Sequence, residues 1–234
     1  MDIDPSELVA DAILYVVFLF STTVHEAAHA LAALIGGDRT AYHGGQVSLS
    51  PLPHIRREPL GMVLLPLVGL LLTGFPIGYA SAPYNRDWAA TYPRRAALMA
   101  LAGPAANLLL VIVAGGLIRL GIGLEVLEPP AFLSFTSIVD AGPESFWPGV
   151  AAVLSVVFSI NLVMAVFNLL PLPPLDGSAA VNLFLGERAR LGYQRLIDTG
   201  IVQIVGLLLA WRFFGTLFAP VFRFALRVLY PEVG

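Results

Sequence analysis

The residues best suited to chemistry lie together in the first apolar stretch of this sequence, as His25-Glu26-Ala27-Ala28-His29. On an α-helix, residues four positions apart differ by about 40° in rotation and by one turn in height. Both imidazoles therefore point to one side of the helix and can bind one metal ion. Glu26 lies close to that side and can reach a metal-bound water, which is the arrangement of zinc hydrolases.

The alternative is a chance match within an apolar helix. A chain with only four histidines contains such a pentapeptide by chance on the order of 10⁻³ to 10⁻² times. Each ionisable group at membrane depth also costs about 2.5–3.5 kcal/mol on insertion scales. Three such groups in five residues would be a heavy burden without a metal ion, so the pattern favours a zinc site.

A third protein ligand is needed, because catalytic zinc usually has three and a water. The chain has no cysteine, which leaves histidine and the acidic residues as donors. Asp176 follows a clear apolar span and three prolines, Pro171, Pro173 and Pro174, which can present a carboxylate at a fixed depth. Asp-Gly is also a common turn pair, so from local chemistry Asp176 is equally well a turn residue.

The composition places these residues in a membrane protein. Hydrophobic residues make up 57% of the chain and charged residues 12%, against about 25% charged in soluble domains. The mean hydropathy is +0.81. So few charges argue against a soluble enzyme, a disordered chain or a nucleic-acid binder. We predict one all-α polytopic membrane domain over residues 1–234, with a core at about 8–185 and a C-terminal span and amphipathic tail at 197–234.

The apolar runs predict about four to six transmembrane or re-entrant segments. The run at 60–82 contains prolines and glycines and has arginines on both flanks, which favours a re-entrant segment over a kinked span. Alternation at 44–50 predicts a short β-hairpin-like segment. The runs expected to cross the membrane are 8–35, 96–118, 150–170 and 197–218, and an interfacial amphipathic helix is expected at 221–230.

The charges orient the predicted spans. All thirteen basic side chains are arginines, and they concentrate in the loops at 37–58, 84–95 and 186–195, which we therefore expect on the cytoplasmic side. The acidic N-terminus, with Asp2, Asp4, Glu7 and Asp11, is unlike a signal peptide and is expected outside with the loop at 120–147. His25 lies nearer the arginine-rich side, so the site should open toward the cytoplasm.

Three segments together resemble the signatures of the site-2 protease family of intramembrane zinc metalloproteases. They are His25–His29, Gly103-Pro-Ala-Ala-Asn107, and Asn168-Leu-Leu-Pro-Leu-Pro-Pro-Leu-Asp-Gly177. Their order matches, and each falls on or beside a predicted span. The motif-bearing stretches extend over residues 20–185, and the combination is more specific than the zinc pentapeptide alone.

The resemblance implies that His25, His29 and Asp176 bind one zinc ion per chain and that Glu26 is the general base. It implies an endopeptidase that cuts peptide bonds in or near transmembrane segments of membrane-protein substrates. The membrane would be the cytoplasmic membrane of a bacterium or archaeon, with the lipid bilayer and those substrates as partners and no nucleic acid.

The resemblance also places Asn107 and Asn168 near the active site. An amide there can hydrogen-bond an extended substrate or stabilise an oxyanion. The alternative is an asparagine that joins one helix to another, which is common in membranes. Both interpretations stay open for each residue.

Some features leave the function open. A catalytically inactive zinc protein that binds client transmembrane segments is one alternative, although it would have no need of Glu26. A zinc transporter would need polar ligands along several spans.

The loop of about 28 residues at 120–147 is too short for a PDZ domain, and no CBS-like segment is expected, so a compact family member is predicted. His43 and His54 are either gating groups near the metal or ordinary loop histidines, and the oligomeric state is undetermined.

Overall fold

The computed structural model describes residues 5–143 and 146–231. Three acids of the segments expected outside, Asp2, Asp4 and Glu144, lie beyond these residues. The described chain is helical, with a π-helical turn before α4 and a 3-10 turn after α8. Its α-helices are α1 (Pro5–Ile35), α2 (Thr40–His43), α3 (Pro51–Arg57), α4 (Leu65–Thr73), α5 (Arg86–Thr91), α6 (Pro93–Gly123), α7 (Trp147–Asn168), α8 (Asp176–Ala180), α9 (Glu187–Ile197) and α10 (Gly200–Leu229).

Four of these helices, α1, α6, α7 and α10, are long and apolar enough to cross a membrane. The shortest, α7, has 22 residues, which corresponds to about 33 Å and matches a hydrocarbon core of about 30 Å. In α10 only 11% of the most apolar window is buried inside the protein, so the rest of that surface needs an apolar solvent. The predicted all-α polytopic membrane fold is confirmed.

The predicted hairpin-like segment at 44–50 is wrong, because these residues form turns and bends rather than strands. The amide of Gly45 donates to the carbonyl of Tyr42 at 2.9 Å, and the amide of Gln46 donates to that of Ala41 at 3.0 Å. Both bonds cap the end of α2, and Gly45 adopts the positive φ of 73° that this cap requires. The amides that a strand would offer are thus used locally.

The broken run at 60–82 is a helix that turns back on itself. A π-helical turn, Leu60–Leu64, leads into α4, and the chain reverses at Gly74. The following residues lie outside regular secondary structure and return beside the helix, where the amide of Tyr79 donates to the carbonyl of Gly61 at 3.1 Å. Residues near the two ends of the run are therefore adjacent, as expected for a re-entrant segment and not for a span.

The predicted last span and the predicted tail helix are a single helix, α10, with Pro220 inside it. The rings of Phe214, Phe218 and Phe222 stack on successive turns, with centroids 5.1 and 5.5 Å apart. Side chains four residues apart lie on one helix face. This apolar face continues past the proline, which accounts for the absence of the boundary expected there.

The described residues form two compact units. The first takes in residues up to 26, 48–81 and 107–162, and its fully buried side chains include Met62, Ile118 and Ile160. The second takes in 27–47, 82–106 and residues from 163 on. The helices α1, α6 and α7 are each continuous and contribute residues to both.

The second unit has its own small core and a buried acid. Trp88 packs with Ala33 and Met99. The carboxylate of Asp38 accepts hydrogen bonds from the amide and hydroxyl of Thr40, at 2.9 and 2.6 Å, and from the amide of Asn85 at 2.7 Å. Burial alone would raise the pKa of Asp38, but these three bonds outweigh it and lower that pKa below its usual 3.8. The acid thereby ties the starts of α2 and α5 to the end of α1.

Candidate metal centre

Helix α1 carries the predicted pentapeptide through its buried middle. His25, Glu26 and His29 are only 4–5% exposed. Because the helix is unbroken from Pro5 to Ile35, the two imidazoles stand one turn apart on one side, as the spacing predicts.

The surroundings of His29 select one tautomer of its neutral imidazole. Its Nδ1 atom lies 2.7 Å from the carbonyl oxygen of Met99 on α6. A carbonyl can only accept, so Nδ1 carries a hydrogen, and in the neutral imidazole Nε2 then keeps its lone pair. That Nε2 atom lies 3.4 Å from Oδ2 of Asp176. Two tetrahedral zinc ligands with bonds of about 2.0–2.2 Å are about 3.3–3.6 Å apart, so this pair fits zinc.

His25 has a different partner for the same nitrogen. Its Nδ1 atom lies 2.5 Å from Oδ1 of Asn107 on α6. An amide oxygen accepts, so the neutral form of this imidazole also carries its hydrogen on Nδ1 and keeps a lone pair on Nε2. Both histidines thus have the tautomer that a metal needs, with the other ring nitrogen anchored by the protein.

Asp176 is positioned by the segment after α7. Prolines at 171, 173 and 174 prevent the helix from continuing, and α8 begins at Asp176 itself. A side chain at Gly177 would collide with the carbonyls of Leu169 and Leu170, so the Asp-Gly pair allows a close approach of the backbone. Asp176 therefore opens a turn of helix, as one interpretation expected, and its carboxylate lies beside His29; its role as a zinc ligand stays a prediction.

Together these residues form a group that can hold a metal ion. The ligand atoms of His25, His29 and Asp176 all lie within 4.8 Å of one another. Two imidazoles and one carboxylate with a fourth position left open are typical of catalytic zinc. Oε2 of Glu26 is buried without a hydrogen-bond partner in the described chain. Such an atom is costly unless a donor reaches it, which also fits a hydrolytic site.

Asn107 lies among three helices and not only at the site. Its Nδ2 atom donates to Oδ1 of Asn161 on α7 at 2.7 Å and to the carbonyl of Ser21 on α1 at 3.4 Å. Its oxygen is directed to His25. The residue thus joins helices, as one interpretation expected, and also contacts a predicted zinc ligand. Sequence reasoning missed Asn161, although a buried asparagine within an apolar span is a signal of this kind.

Asn168 is placed at the last turn of α7. Its Nδ2 atom donates to the carbonyl of Met164 at 3.0 Å, one turn back on the same helix. The role expected for it toward substrate stays a prediction.

The two loop histidines lie outside the metal group. His43, on α2, is exposed and its ring makes an edge contact with Tyr42. His54, on α3, is 1% exposed, and its Nε2 atom lies 3.1 Å from the carbonyl of Ser48. The structure favours the ordinary interpretation of a hydrogen-bonded loop histidine for His54.

Comparison with known proteins agrees with the geometry. Residues 13–211 match the family model for Peptidase family M50. The chain is 34% identical over 181 residues to "Putative zinc metalloprotease YwhC" of Bacillus subtilis, covering 76% of the chain and 72% of that protein. It is 27% identical over 192 residues to "Putative zinc metalloprotease Rip2" of Mycolicibacterium smegmatis, covering 82% of the chain and 64% of that protein. No solved structure matches. The matched range contains the whole metal group and Glu26.

Proposed function

Because the chain belongs to peptidase family M50, the site-2 protease family of zinc metalloproteases, we propose that it is an intramembrane endopeptidase. It hydrolyses peptide bonds in or near the transmembrane segments of other membrane proteins. The observation that carries this proposal is the His29–Asp176 pair at 3.4 Å beside a buried glutamate on a helix long enough to span the membrane.

Three side chains would hold zinc: His25 and His29 through Nε2, and Asp176 through its carboxylate. When bound, zinc supplies acidity to a water molecule and polarises the scissile carbonyl. Glu26 takes the proton of the attacking water at Oε2, the carboxylate oxygen without a partner in the described chain, and passes it to the leaving amine.

The substrate enters the site in a locally extended form, because a helix hides each carbonyl behind its own hydrogen bond. The site opens toward the cytoplasm, since the arginine-rich loops expected there follow the half of α1 that carries the histidines. The partners are then the lipid bilayer and membrane proteins with at least one span, in the cytoplasmic membrane of a bacterium or archaeon.

The test is cleavage of single-span substrates by the protein purified in mild detergent, beside its zinc content. The proposal expects about one zinc per chain and cleavage near the substrate span. Glu26→Gln should keep the zinc and lose the cleavage. Zinc retention with no cleavage of any substrate, and client binding that Glu26→Gln leaves unchanged, would instead support the catalytically inactive zinc protein.

A further inference from the structure

A buried polar cluster in the first unit connects three helices to one zinc ligand. It consists of Ser21 on α1, Asn107 on α6 and Asn161 on α7, each of them 0% exposed, together with His25. The geometry points to Asn161 as a positioning residue for His25 that acts through Asn107, an inference that rests on the proposed zinc site.

The hydrogen bonds of this cluster fix the orientation of each amide group in turn, first that of Asn161 and then that of Asn107. Nδ2 of Asn161 donates to the carbonyl of Val157, one turn back on α7, at 2.8 Å and to the hydroxyl of Ser21 at 2.9 Å. A carbonyl only accepts, so the NH₂ group of Asn161 faces Val157 and its oxygen faces Asn107. That oxygen accepts from Nδ2 of Asn107 at 2.7 Å, which leaves the oxygen of Asn107 for His25.

This orientation matters because an amide has two unlike ends. If Asn107 rotated by half a turn, its NH₂ group would face Nδ1 of His25. That nitrogen would then have to accept, the hydrogen would move to Nε2, and Nε2 would have no lone pair for a metal. The tautomer of His29 does not depend on the orientation of an amide, because Nδ1 of His29 faces the backbone carbonyl of Met99. Of the two histidines, only His25 has a side-chain amide as the Nδ1 partner described here, and an amide can present either its oxygen or its NH₂ group.

Substitution of Asn161 tests this role. Asn161→Leu keeps a similar volume but removes the acceptor for Asn107. Loss of a group that orients a metal ligand costs about 10- to 100-fold in metal affinity, and because Asn161 acts through a second residue we expect about tenfold weaker zinc binding. Competition with a chromophoric chelator measures this on the full chain in detergent.

Two further variants separate positioning from packing. Asn107→Ala leaves His25 without an amide whose orientation Asn161 could fix, so Asn107→Ala/Asn161→Leu should bind zinc as weakly as Asn107→Ala alone. Ser155→Ala is the matched control: Ser155 is on α7, is 0% exposed, and accepts from the amides of Ile138 and Val139 instead. It should lower thermal stability and leave the zinc affinity unchanged. If Asn161→Leu does not fold, the smaller side chain of Asn161→Ala removes the same acceptor, and the same zinc-affinity measurement applies.

A spectroscopic readout reports the tautomer directly. The chain has four histidines, so ¹⁵N-histidine labelling of the metal-free protein gives a simple spectrum, with His25 assigned by substitution. Wild type should show His25 with its hydrogen on Nδ1, and Asn161→Leu should show a mixture of both tautomers. Unchanged tautomer and unchanged zinc affinity in Asn161→Leu would overturn the inference. An equal loss of affinity in Ser155→Ala would also overturn it, in favour of general packing. A wild type that binds no zinc would instead refute the proposed function, and the tautomer would still decide the role of Asn161.

Discussion

Removal of the Asp176 carboxylate is the perturbation whose effect follows most directly from the site. Complete four-ligand zinc sites bind with about 10–16 kcal/mol, or about 2.5–4 kcal/mol per ligand. The carboxylate lies 3.4 Å from Nε2 of His29, at the spacing of two ligands of one ion. We therefore expect Asp176→Ala to weaken zinc binding by about 100- to 1,000-fold.

The expected loss can be measured in two ways, by chelator competition and by the effect of zinc on thermal unfolding. At a zinc concentration 100 times the wild-type Kd, the bound metal stabilises the folded protein by about 2.7 kcal/mol. For a variant with a Kd about 100-fold higher, the same zinc concentration stabilises by only about 0.4 kcal/mol. Zinc should thus raise the melting temperature of wild type clearly and that of Asp176→Ala hardly at all.

The control is Asp140→Ala, which removes an exposed carboxylate from the loop before α7. It should respond to zinc as wild type does. If Asp176→Ala binds zinc as tightly as wild type, the argument from the ligand spacing is refuted. If Asp140→Ala loses zinc equally, the carboxylate effect is one of general charge and not of coordination.

The other predictions concern catalysis, acid stability and the backbone beside the site. Glu26→Gln should lower the cleavage rate by about 10²- to 10⁴-fold, the usual contribution of a general base, while zinc content measured in the same preparation stays unchanged. The lowered pKa of Asp38 means that its bonds stabilise the folded state above the usual pKa of an aspartate and lose that effect as the pH falls through the lowered value. The melting temperature of wild type should therefore exceed that of Asp38→Asn at about pH 6, and the difference should shrink as the pH falls below 3.8, whereas a constant difference would contradict the assignment. Gly177→Ala should destabilise the folded protein by about 1–3 kcal/mol through overpacking against the carbonyl of Leu169, and it should weaken zinc binding in the chelator assay. Gly192→Ala is the control, because an added methyl group there meets nothing within 4 Å. It should leave zinc binding unchanged.

Features that depend on local spacing could be predicted from the sequence. The positions of His25 and His29 on one side of α1 follow from helix geometry within five residues. The four spans follow from the length of apolar runs. The re-entrant run was also foreseeable, because the prolines and glycines in it break a span and its two arginine-bearing flanks favour one side of the membrane.

Features that depend on competition between partners could not be predicted. The alternation at 44–50 is a property of strands, but the amides of Gly45 and Gln46 bond to the preceding helix instead. Pro220 resembles a helix boundary, but aromatic rings stacked on either side of it continue α10. In both cases a hydrogen bond or a packing contact outweighs the local preference of the sequence.

The sequence by itself determined the membrane character, the zinc pentapeptide and the resemblance to a protease family, since each depends on residue types or on spacing within one segment. Only the tertiary structure decided that Asp176 lies beside His29 and that Asn161 orients Asn107 toward His25. Each of these contacts joins residues on different helices. Asn107 and Asn161 are 54 positions apart in the sequence, and His29 and Asp176 are 147 positions apart. Their donors and acceptors are chosen by how the helices pack, and nothing in a single segment specifies that choice.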